Sequence, residues 1–148
     1  MFMKVTFYDI ILYFHIVSAI LAIGPLFVLL LVIKKLNGVQ QEIERSYLSL
    51  ISVAVRFIMH SGHALVLTGA LLILFGPWPW HTSWVMMTLG VMLLSAFFLA
   101  NGFTKVLRRF EQAADKSAVL QKLWNTTWVY ILLMLVMLWL MVHKPILW

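Results

Sequence analysis

Cysteine is absent from this 148-residue chain, and that one absence removes disulfides, thiolate metal sites, iron–sulfur clusters and thioether haem attachment together. Charge is nearly as scarce. Charged residues make up 11% of the sequence, against roughly 25% in ordinary soluble domains, and only five side chains are acidic. No phosphate-binding loop, dinucleotide fingerprint or nucleophile constellation occurs, which argues against ATP-driven or hydrolytic chemistry within the chain. No intramembrane carboxylate stands where a zinc-bound water would need a general base, so zinc hydrolysis is disfavoured as well.

What is present is apolar: 64% of the residues are hydrophobic. A transmembrane helix needs about 20 mostly apolar residues, and four runs meet that length, at about 8–33, 51–75, 83–103 and 124–142. The apolar part of the first run is far longer than a signal core of about 7–15 residues, and Asp9 and His15 interrupt its start, so it is expected to remain attached. The expected fold is all-α: an integral membrane, antiparallel four-helix bundle forming a single transmembrane domain over residues 1–148. Helices satisfy their own backbone in lipid, and short connections favour adjacent neighbours.

The net charge of +6 would suggest nucleic acid in a soluble protein. Here the basic residues sit in short segments between apolar runs, where membrane orientation accounts for them, and the expected partner is the lipid bilayer. Lys34, Lys35 and Arg45 lie between runs one and two, and Lys105, Arg108, Arg109, Lys116 and Lys122 between three and four, whereas "GPWPWHTSW" contains no lysine or arginine. The positive-inside rule then places 36–48 and 105–122 in the cytoplasm and both termini outside, in a multi-pass protein of the plasma (inner) membrane. The two basic segments have helix-forming composition, so spans two, three and four are expected to continue into water as helices.

The polar residues inside the spans are the candidates for function. Positions seven apart on a helix lie about 20° from each other and positions four apart about 40°. Arg56, His60 and His63 therefore share one stripe, continued by Ser49 and Ser52, and such a stripe is expected to face the bundle interior. Gly62 and Gly69 form a second line suited to close helix approach. On the first span His15, Ser18, Ala22 and Pro25 share a face. Asp9 stands near the outer end of that span, within reach of Lys144 or Lys4.

Two neutral imidazoles at similar depth on facing helices can bind a b-type haem, one nitrogen each to the iron. His15 and His63 are the expected axial ligands, His60 the alternative on the second span, and Arg56 the partner of a propionate. Six-coordinate iron would exchange electrons with a quinone or a membrane redox partner; an open position would suit gas or peroxide chemistry. Copper is the second cofactor to weigh, because His60 and His63 form a His-x-x-His pair and Met59, Met86, Met87, Met92, Met134, Met137 and Met141 supply thioethers. The competing reading has no cofactor. Each histidine then bonds across a helix interface, Arg56 snorkels to the headgroups, and the stripe is a packing or homo-oligomer contact of an accessory membrane protein.

The stretch "ILYFHIVSAILAIGPLFVLLLVIKK", with the later "LTGALLIL", resembles a bacterial family of predicted four-span integral membrane proteins without an assigned function. A first-span histidine followed nine residues later by glycine, here His15 and Gly24, is also similar to copper-resistance D-type membrane proteins and to the haem-dependent protoporphyrinogen oxidase. The resemblance to the oxidase implies a haem-ligand role for His15. It also implies a lysine in the third span, and this sequence has none there before Lys105.

Overall fold

In lipid, a long apolar run can satisfy its backbone only as a helix or in a closed barrel, and every run here becomes a helix. The computed structural model describes residues 6–110 and 113–147. Helix α1 spans Phe7–Lys35 and α2 spans Gln41–Phe75. Helix α3, Ser83–Phe98, widens into a π turn over Leu99–Thr104 and continues as α4, Lys105–Phe110; α5 spans Lys116–His143. At 1.5 Å per residue the 29 residues of α1 reach about 43 Å, more than the hydrocarbon thickness of about 30 Å. Four helical segments are long and apolar enough to cross a membrane, and the chain is a multi-pass integral membrane protein.

The ends of the helices follow from local chemistry. The backbone N–H of Thr6 donates to the Asp9 carboxylate at 2.8 Å, closing the start of α1. This is where Asp9 finds its partner; Lys144 lies instead over the rings of Trp78 and Trp84, at 5.2 and 5.7 Å, and Lys4 is outside the described residues. Asp115 caps α5 by accepting from the backbone N–H groups of Ser117 and Ala118 and from the Ser117 hydroxyl. At the tryptophan-rich end, fully buried Ser83 donates to the Pro145 carbonyl at 2.8 Å and accepts from the Leu147 N–H at 2.9 Å. These two bonds tie the segment after α5 to the first turn of α3.

Packing runs in the order α2, α1, α5, α3, each helix antiparallel to the next. Ala22, Leu26, Leu29 and Ile33 of α1 and Ile51, Val55, Ile58 and Leu65 of α2 are buried at the first of these contacts. Phe103 and Phe110 bury against α5, Phe103 meeting the Tyr130 ring edge-on at 6.2 Å. Helix α2 is the least enclosed span, with α1 as its main neighbour. At the basic end its first turns approach the start of α5, where Lys116 pairs with Glu44 at 2.6 Å.

Candidate functional site on the open face of helix α2

Ile51, Val55, Ile58 and Leu65 recur at spacings of four, three and seven, and they define the side of α2 that meets α1. Counting 100° per residue from Ile51, the polar positions 45, 49, 52, 56, 60 and 63 fall about 100–180° away. Arg45, Ser49, Arg56, His60 and His63 are accordingly exposed and Ser52 is half-buried. This corrects the expectation that the stripe faces the bundle interior. Close packing against α1 selects the branched aliphatic side of α2, and the ionisable side is left pointing outward. The stripe itself is real: it runs from the basic end to the middle of the span, and the His60 and His63 rings lie 6.3 Å apart at an interplanar angle of 72°.

His15 stands elsewhere. It is 8% exposed, on the buried face of α1 with Ser18 and Ala22, and its Nδ1 lies 3.0 Å from the Thr68 hydroxyl of α2. Thr68 donates its one proton to the Ala64 carbonyl at 2.7 Å, so the Thr68 oxygen accepts and His15 Nδ1–H donates. That tautomer leaves Nε2 with a lone pair. Gly69 makes the close approach possible, since a Cβ there would come within 3.2 Å of His15 Cε1. Gly62, the other member of the small-residue line, meets only open space.

Thus the structure does not bring His15 and His63 together within one chain. His15 is level with Thr68, five residues or about 7.5 Å along the axis from His63, and His63 points away from α1. Of the grooves along the helices, two, of about 230 and 270 Å³, have no histidine among their described lining residues. A haem held between His15 and His63 inside a single chain therefore does not fit. His60 and His63 with Arg56 below them could hold one face of a cofactor, the opposite face being met by a second polypeptide. Among the described residues no group of three or more His, Asp or Glu side chains gathers as a metal cage. The methionines do not converge on the histidines: Met134 and Met137 fill the core, while Met86 and Met87 are exposed on α3. His143 stacks on Trp139 at 4.8 Å, and His81 packs against Trp80.

Thr68 is the residue that sequence reasoning missed. Its signal was the helix-compatible "TG" pair beside an apolar run, which offers a hydroxyl and a Cβ-free backbone to a neighbouring helix, but only the α1–α2 register shows that His15 uses both.

Over residues 9–145 the sequence matches the model of a family described as predicted integral membrane protein, DUF2269, and the chain belongs to that family. No curated protein and no solved structure matches it. The resemblance to copper-resistance D-type proteins and to the protoporphyrinogen oxidase gains no support from these comparisons.

Proposed function

We propose that this member of the predicted integral membrane family is a b-type haem protein whose haem lies against the open face of α2. His60 or His63 gives the axial nitrogen on one side, and a facing polypeptide, such as a second copy of the chain, supplies the other. Bound haem would supply one-electron chemistry for electron transfer, haem handling or sensing. The supporting observation is the make-up of the stripe, with two imidazoles exposed at the middle of a span and one guanidinium a turn nearer the basic end. A bare copper or zinc cation would be repelled by Arg56. A porphyrin carries both an iron for an imidazole and carboxylates for a guanidinium, which also lessens the cost of a charge in lipid. His15 is excluded as a ligand in this arrangement and serves to join α1 to α2.

A second reading rests on the openness of α2, which has one main neighbour. In it the protein is a cofactor-free accessory subunit, and the same stripe contacts another membrane protein. The visible spectrum of protein purified with haem supplied during expression separates the two. The haem reading expects a Soret band that changes shape in His60→Ala or His63→Ala, persists in His15→Ala, and washes out faster in Arg56→Gln. A flat baseline in the parent protein, with cross-linking from position 60 to another polypeptide, supports the accessory reading and overturns the first.

A further inference from the structure

At the basic end the polar stripe enters a groove of about 270 Å³, lined by Arg45, Leu48, Ser49 and Ser52 of α2 and by Leu107 of α4. Val32 of α1 and Ile51 of α2 line the neighbouring groove together, so in the antiparallel register Lys34 and Lys35 stand about level with Ser49. Trp124 and Trp128 mark the same end on α5. The groove therefore sits at the headgroup level of the leaflet that the basic residues face.

Its donors are unspent. Several helical hydroxyls return their proton to a carbonyl four residues back, among them Ser46, Thr88, Ser95 and Thr127. Ser49 and Ser52 make no such bond, and Arg45 has no ion pair among the described residues. Among the described residues, the one ion pair there joins Glu44 to Lys116. Among the described residues no acidic side chain lines the groove, and Leu48 and Leu107 provide apolar walls.

We infer that this groove binds a phosphate group, carried either by the headgroup of an anionic phospholipid in that leaflet or free as inorganic phosphate. A guanidinium fork with two hydroxyl donors suits the oxygens of a phosphate. A basic recess between spans at the membrane surface is also where anionic headgroups are recognised. The site is independent of any haem on His60 or His63.

The test uses the full chain in a phosphate-free detergent, with native mass spectrometry after exposure to phosphatidylglycerol or to a phosphate-free galactolipid, and with a separate titration of inorganic phosphate. Retained phosphatidylglycerol that inorganic phosphate does not displace identifies the lipid source. Phosphate that binds alone and displaces the lipid identifies the free source. In either case Arg45→Gln is expected to weaken binding about five- to tenfold, and Lys122→Gln, a change of equal charge on α5, to leave it unaltered. Should Arg45→Gln fail to fold, Ser49→Ala combined with Ser52→Ala removes both hydroxyls while keeping the charge, and the same weakening is expected. Equal retention of galactolipid and phosphatidylglycerol without phosphate binding, or parent-like binding by the folded variants, overturns the inference.

Discussion

Replacing Thr68 with valine keeps the volume and β-branching of the side chain and removes only the oxygen that receives His15 Nδ1–H. The buried imidazole, 8% exposed, then loses its side-chain partner at 3.0 Å and keeps only the Leu65 backbone beside it, while the Ala64 carbonyl loses a donor but keeps its helical bond. Orphaning a buried donor costs about 1–3 kcal/mol in soluble proteins, and interhelical hydrogen bonds in membranes average about 0.6 kcal/mol with a maximum near 1.7. Thr68→Val should therefore destabilise α1–α2 packing by about 1 kcal/mol. His15→Leu should cost a comparable amount through lost packing against Gly69, whose Cβ position lies 3.2 Å from His15 Cε1. With His15 replaced, the Thr68 hydroxyl still donates to Ala64, so adding Thr68→Val should cost little. Reversible unfolding by sodium dodecyl sulfate in mixed micelles measures all four proteins of the cycle. A double variant equal to the sum of the singles within about 0.3 kcal/mol would refute the coupling and with it the assigned tautomer.

Two further outcomes follow from close contacts at the basic end. Gly102 lies in the π turn against Thr126 of α5, where an added Cβ would collide with Thr126 Cγ2; Gly102→Ala should cost about 1–3 kcal/mol as overpacking, and Thr126→Ser, which deletes that methyl, should recover most of it in the same unfolding assay. The Asp115 carboxyl is held below the ordinary carboxylate range first by the Ser117 hydroxyl and then by the Ala118 N–H. Its capping contribution is thus fully present above that range and lost as pH falls through the lowered value, so amide exchange at Ser117 and Ala118, corrected for intrinsic rates, should accelerate on acidification in the parent and be pH-insensitive in Asp115→Asn.

The helices were legible because lipid leaves the backbone few alternatives. Runs of about 20 apolar residues marked the four spans, and the basic segments correctly suggested that the helices extend beyond them: α2 starts at Gln41 and α5 at Lys116. The small-residue face of α1 was also readable, since His15, Ser18 and Ala22 are all buried. The direction of the α2 stripe was not. In water, hydrophobicity separates an inward face from an outward one. In lipid both faces are apolar, and exposed Val53, Phe57 and Leu67 are chemically the same kind of residue as buried Val55, Ile58 and Leu65. Which aliphatic ridge meets α1 depends on shape and register, and the polar stripe takes whatever side remains.

That outcome sharpens the functional question. An arginine at the centre of a transmembrane helix costs about 2.5–3.5 kcal/mol on insertion scales, reduced where the side chain snorkels to the surface. Arg56 is seven residues, about 10 Å, nearer the basic end than His63, which places it within reach of headgroups. His60 and His63 lie deeper and have short side chains, so snorkelling does not relieve them. Arg56 alone would be unremarkable as an anchor, but two imidazoles one turn apart and facing the same way need a polar counterpart at mid-membrane. Within the chain the opposite side of α2 belongs to α1, whose own histidine is already engaged by Thr68. On the reading proposed above, that counterpart comes from outside this chain, as a porphyrin iron or as polar groups of another polypeptide, and the open side of α2 is where either would bind.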